Sequence, residues 1–241
     1  NDSRILEEMS HGNMAKYLRI SLNPSSWFTN QFVEFYKKNY EKDYHFEIYT
    51  AGVRNVMERV RDYLSDIGFV YVMEQQMKEF QYELSKNRLV FSNMQESVAT
   101  FYPGRLNQLY QGNPKTKDNV SLKELKSQRF IQNYRDEFLE LGDREKKGVF
   151  SWEDLDVSVI TNSDYIMEKM LRETDLSNIS GSYLSEDKKA VNKGIPLEFK
   201  KNKIYFGYVR RKNDEPNEMI DEFLEFLNEK LKMDNENESF K

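Results

Sequence analysis

The chain has 241 residues, enough for one large α/β domain or two modest lobes that each bury a core. Hydrophobic residues make up 38% and charged residues 32%, which excludes a disordered chain, and a formal net charge of −5 argues against a fragment that grips duplex DNA by itself. With no cysteine, disulfides, Cys-ligated zinc and thiol nucleophiles are excluded, a usage that fits a reducing cytoplasm; no apolar run approaches a membrane span, and no signal-peptide pattern opens the chain.

In chain order, residues 1–16 read as the end of a linker helix, with Ile5, Leu6 and Met9 on one face and Gly12 as its stop. A connector to a preceding unit and a helix packed on its own domain both fit that pattern. Residues 17–22 alternate as a strand, and Asn23-Pro24-Ser25-Ser26 breaks it. An amphipathic helix follows over 27–40 with Phe28, Phe32, Phe35 and Tyr36 inward. A second strand at 46–49, a Thr50-Ala51-Gly52 turn and a helix over 53–64 carrying Val56, Met57, Val60 and Leu64 come next. Residues 67–72 are a continuous apolar run of the kind buried on both faces of a parallel sheet. The order is β–α–β–α–β, whose crossovers should be right-handed.

Residues 89–91 and 96–102 read as two strands ending at Pro103-Gly104, and 105–119 as a polar surface excursion. Residues 121–125 form a short helix with Ser121 as N-cap and Glu124 completing a capping box. Residues 130–134 are strand-like, 138–147 helical, and 157–160 a strand broken by Thr161-Asn162-Ser163-Asp164 before a helix over 165–172. An aromatic-rich strand at 204–210 leads to a closing helix over 219–231 with Ile220, Phe223, Leu224 and Leu227 on one face; residues 235–241 read as a disordered tail. The two halves echo each other: strand, Thr50, then a helix with Val56-Met57-Glu58 parallels strand, Thr161, then a helix with Ile166-Met167-Glu168.

Three βα junctions place hydroxyl or glycine residues at a helix mouth: Ser25-Ser26, Thr50 to Val53, and Thr161 to Ser163. Such mouths leave backbone N–H groups unpaired, which hydroxyls either cap or share with a ligand's oxygens. Tyr71 closes the buried strand, as a core aromatic or as a wall over a ligand. No dinucleotide fingerprint or P-loop is present, a Ser–His–acid triad would have to use His11 or His45, and no catalytic residue, metal or cofactor is expected.

Leu18-Arg19-Ile20-Ser21 through Asn23-Pro24-Ser25-Ser26 resembles the opening of the LysR-type regulator effector-binding domain. Phe46-Glu47-Ile48-Tyr49, Gly52 and Ser65-Asp66-Ile67-Gly68-Phe69 are similar to its second strand, helix and third strand. Val120-Ser121-Leu122-Lys123-Glu124-Leu125, Arg129-Phe130-Ile131 and Phe223-Leu224-Glu225-Phe226-Leu227 resemble later segments. The resemblance covers residues 4 to 231; no one motif is specific, but their order and spacing agree. It departs over 105–119 and at Asn178-Ile179-Ser180-Gly181-Ser182-Tyr183-Leu184-Ser185, where the family carries a glycine-rich turn.

The resemblance implies an α/β, two-lobed periplasmic-binding-protein-like fold of type II, with mixed sheets and flanking helices. Lobe I would be residues 17–95 and 205–234, and lobe II 96–204. A small-molecule effector, polar and more anionic or zwitterionic than apolar, would bind between them. Ser25, Ser26, Gly52, Val53 and Tyr71 would contact it from lobe I, and Gln132, Asn133, Tyr134, Thr161 and Asn162 from lobe II. A homodimer or higher homo-oligomer is implied, with the first helix and second strand of one copy meeting lobe II of another. DNA would be reached only through a winged helix-turn-helix outside these residues, and no membrane contact is implied. The alternative is a transport-type solute-binding protein of the same architecture; an enzyme on this fold is disfavoured by the lack of an acid–base signature.

Overall fold

The computed structural model describes residues 16–111, 120–133, 138, 154–181, 194–197 and 201–239. The expected linker helix, the helix over 138–147 beyond Phe138, and Tyr134 lie outside them. Strands β1 (Lys16–Leu22), β2 (Tyr44–Thr50) and β3 (Ile67–Met73) alternate with helices α1 (Ser26–Lys38) and α2 (Val53–Arg61). β1 lies between β2 and β3 and runs parallel to both. Every residue of β3 is buried. Ile67, Phe69, Tyr71 and Met73 share a cluster with Phe28, Phe35 and Phe223, while Val70 and Val72 pack with Val56, Val60, Phe80 and Leu84. A strand covered on both faces must be apolar at every position, which is why it reads as an unbroken run.

Local chemistry fixes the first βαβ units. Asp66, just ahead of β3, accepts from the backbone N–H of Arg19 at 2.8 Å and takes that residue's guanidinium at 2.6 and 3.2 Å. Gly68 lets α2 approach: a Cβ there would lie 2.5 Å from Val56 Cγ1 and 3.0 Å from Val60 Cγ2. The Asp66-Ile67-Gly68 sequence thus tethers β3 to β1 and makes room for a helix.

Two expected core positions lie outside the core. Tyr36, expected to point inward, is 52% exposed. It sits about 80° round the helix from Phe28, past the stripe that Phe28, Phe32 and Phe35 hold. Leu64 is also exposed, because α2 ends at Arg61 and Tyr63 turns the chain at φ 59°.

Helix α3 (Met77–Lys86), unassigned from sequence, buries Phe80 and Leu84. Strand β4 (Leu89–Tyr102) is continuous where two strands were expected. Its polar middle is bulged between Asn93 and Gln95, yet pairs antiparallel with β9 (Lys203–Arg211) along its first part, Leu89 to Val98. Its far end, Ala99 to Tyr102, pairs instead with β7 (Asn178–Gly181) and β8 (Ile195–Pro196). The main sheet runs β2-β1-β3-β9-β4-β7, with β8 also on β4. The chain therefore leaves the first unit along β4 and returns at the start of β9.

Beyond β4, a short helix α4 (Gln108–Gln111) and α5 (Leu122–Leu125) precede β5 (Arg129–Asn133). The capping box at α5 is present as expected, with Ser121 Oγ accepting from the Glu124 N–H and the Glu124 carboxylate from the Ser121 N–H. β5 and β6 (Asp156–Thr161) form a separate parallel pair, followed by α6 (Asp164–Glu173). Helix α7 (Glu218–Ser239) starts where Asn217 Oδ1 accepts from the N–H groups of Met219 and Ile220. Its apolar stripe of Ile220, Phe223, Leu224 and Leu227 is buried on the first unit. The helix runs to Ser239, beyond the last apolar position, because Glu, Lys and Asn continue a helix without needing a core.

Candidate functional site

The carboxyl ends of β1 and β2 and the first two turns of α1 surround a pocket of about 250 Å³. Leu22, Pro24, Phe28, Phe32 and Ile48 supply its apolar surface. Ser25, Thr29 and Thr50 add hydroxyls from the same side, and Asn162 and Asp164, at the mouth of α6, close it from the other. Carboxyl ends of strands are where ligands settle in open α/β sheets, since side chains and loops diverge there.

Hydrogen bonds hold the floor rigid. Ser25, buried as the N-cap of α1, accepts from the Phe28 N–H at 3.2 Å, and its Oγ lies 2.7 Å from Tyr71 Oη. Thr29 Oγ1 donates to the Ser25 carbonyl at 2.9 Å. Asn23 is buried one residue beyond β1: its N–H donates to Phe69 O, its Nδ2 to Ala51 O, and its Oδ1 accepts from the Tyr71 N–H. One side chain thus ties the ends of β1 and β3 to the turn that precedes α2. On the opposite wall Ser163 Oγ caps α6 by accepting from the Ile166 N–H at 3.3 Å, and Thr161 Oγ1 accepts from the Ser163 N–H at 3.0 Å.

Asp164 opens α6 and stands half-buried in that wall. The first turn of a helix favours negative charge. Burial outweighs this and, with the like charge of Glu168 one turn on, pushes the carboxyl up to about 6.

Of the residues expected at the site, Ser25 and Asn162 line this pocket. Ser26 begins α1 behind Ser25, and Gly52 caps α2 without a side-chain bond, with Val53 buried after it. Tyr71 lies under Ser25 and stacks on Phe206 with centroids 4.6 Å apart, so it supports the floor. Thr161 supports the turn into α6. Gln132 is buried on β5: its Oε1 accepts from Asn178 Nδ2 at 3.1 Å, while its Nε2 has no partner among the described residues. Asn133 ends β5 opposite Thr161. Thr29, Phe32, Ile48 and Asp164 were missed as site residues. Thr29 follows Ser25 by one helical turn, a spacing that places both on one face, and Asp164 directly follows the flagged mouth at Thr161 to Ser163.

No family model matches the sequence, and comparison with curated proteins gives no match either. Solved structures do match. The effector-binding domain of QuiR in complex with shikimate superposes with a TM-score of 0.58 at 11% identity, over 87% of this chain and 94% of that one. The fold is that of a LysR-type effector-binding domain. HinK, a LysR family transcriptional regulator from Pseudomonas aeruginosa, gives 0.59 at 11% identity over 95% of this chain and 75% of its own. A mutant of full-length BenM gives 0.56 at 14% identity over 94% and 71%. The sequence resemblance to LysR-type effector domains therefore holds in the fold, which is mixed α/β with helices flanking its sheets.

Proposed function

We propose that this chain is the ligand-sensing domain of a LysR-type transcriptional regulator, which binds a small-molecule effector and passes its closure to a winged helix-turn-helix unit. The observation that carries the reading is the pocket itself. One wall is built on β1, β2 and α1, the other on the mouth of α6, and β4 and β9 carry the chain between the two sides. A ligand touching both walls biases their relative position, which is what a sensor requires. On this reading lobe I is residues 17–95 and 205–234 and lobe II is 96–204.

Support comes from the fold shared with LysR family regulators, one of them described in complex with shikimate. Among the described residues the pocket lining offers one carboxylate and no nucleophile–base pair, which favours binding over chemistry. Homodimerisation fits the outward face of α1, where Val33 and Tyr36 are exposed. No helix among the described residues is long and apolar enough to cross a membrane, and a regulator of this kind would work in the cytoplasm.

The test is a thermal-shift screen of a metabolite library against the wild type and against Thr29→Trp, which fills the pocket from an exposed helix position. A metabolite that stabilises only the wild type is expected. Stabilisation that persists in Thr29→Trp for every hit places the ligand elsewhere and sinks the reading.

A further inference from the structure

The pocket is electrostatically one-sided. Among the described residues Asp164 is its one charged lining residue, and no Lys, Arg or His contributes to the lining. Among the described residues none of these cations forms an ion pair with Asp164, and the charge that acts on it, Glu168, has the same sign. A half-buried carboxylate without a counter-charge is costly, and the cost falls when a partner of opposite charge is supplied. Around it the surface is hydrocarbon and aromatic: Leu22, Phe28, Phe32 and Ile48.

The helix mouths offset this charge only in part. The Phe28 N–H of α1 is taken by Ser25, and the Ile166 N–H of α6 by Ser163. Each mouth thus has one of its donors committed to its own cap, which leaves fewer for an anion.

We propose that the pocket takes a small organic cation, an amine with an apolar body, its ammonium group on the Asp164 carboxylate and its hydrocarbon against Leu22, Phe28 and Phe32. This rests on reading the pocket as a ligand site. An ammonium group there replaces part of its lost hydration with a charge-assisted hydrogen bond, and aromatic rings tolerate its positive field. A carboxylate ligand would meet like charge at close range, and a neutral one would bury Asp164 further without a partner. The raised pKa of Asp164 has the same origin as the preference.

Three probes that share a phenyl ring and differ at the head group decide the matter: phenethylamine, phenethyl alcohol and hydrocinnamate. Each is titrated calorimetrically into the wild type, Asp164→Asn and Thr29→Trp at about pH 7.5, with folding of each variant checked by its melting curve. The amine should bind the wild type at least about tenfold more tightly than the other two. Asp164→Asn should level the three, and Thr29→Trp should abolish binding. A wild-type titration below pH 6 gives the same readout without substitution, since amine affinity should fall as Asp164 takes up a proton. Tighter hydrocinnamate binding that Thr29→Trp removes overturns the cation preference and leaves the pocket in place. Amine binding that survives Thr29→Trp overturns both. No heat from any probe up to about 10 mM overturns the proposal.

Discussion

The hydroxyls of Ser25 and Tyr71 lie 2.7 Å apart, joining the N-terminus of α1 to β3 in the buried sheet. Ser25 Oγ also accepts the Phe28 N–H, so at least two of the three hydrogen-bonding capacities of this hydroxyl are spent inside the protein. Ser25 belongs to the pocket wall through its position, but its oxygen is structural.

Ser25→Ala should therefore cost about 1–2 kcal/mol of stability, the range for a lost N-cap and an orphaned partner. Tyr71→Phe should cost about 0.5–1.5 kcal/mol. Because both remove the same bond, the double variant should fall short of the sum. Urea unfolding of the four proteins measures this, and full additivity would show that the two hydroxyls do not interact.

Gly68→Ala should destabilise by about 1–3 kcal/mol, as overpacking does. The added methyl meets Val56 and Val60, whose branched side chains have little rotamer freedom in a helix. Adding Val56→Ala should recover part of the loss. Unchanged unfolding in Gly68→Ala would mean that α2 moves away from the sheet without cost.

The β1–α1–β2–α2–β3 units were legible because each carries its own local signal: Pro24 and Ser25 at a helix start, the unbroken 67–72 run, and Asp66 with Gly68. The Ser121–Glu124 capping box was legible for the same reason. Strand β4 was split because Ser92-Asn93-Met94-Gln95 interrupts the apolar pattern, and only pairing with β9 holds it extended. Non-local pairing of that kind leaves no mark in one segment. The site was half legible. Helix mouths announce themselves by hydroxyls, but whether a hydroxyl faces a ligand or its own helix depends on partners such as Tyr71, 46 residues away. Asp164 reads as part of the break ahead of the helix over 165–172, and only its place in the pocket wall sets it apart.

On the proposed homodimer, a paired substitution on the outward face of α1, Val33→Asp with Tyr36→Asp, should raise the dissociation constant by at least about tenfold. Both side chains are exposed, while Phe28 and Phe35 hold the helix to its own core. The melting temperature at low protein concentration should change little. Sedimentation at several concentrations reads the outcome, and an unaltered dimer would place the contact on another face.

Asp164→Asn should make stability less dependent on pH. The wild-type carboxyl titrates at about 6 in the folded chain against 3.8 as its ordinary value. Between those values the native state binds more protons than the unfolded chain, so stability falls as pH rises through the window and the loss is complete above it. Asparagine cannot ionise and does not incur that loss. The full shift is discounted for partial exposure, which leaves a gain of about 1–2 kcal/mol above pH 7. The lost charge–dipole interaction at the first turn of α6, about 0.3–1 kcal/mol, works against it and should not reverse the sign. Melting of both proteins at about pH 3.5, where the two should nearly coincide, and at about pH 7.5, where the variant should be the more stable, reads this out. A variant less stable than the wild type at the higher pH would mean that a counter-charge already sits on Asp164 in the unliganded chain, and the amine would then lose its reason to bind there.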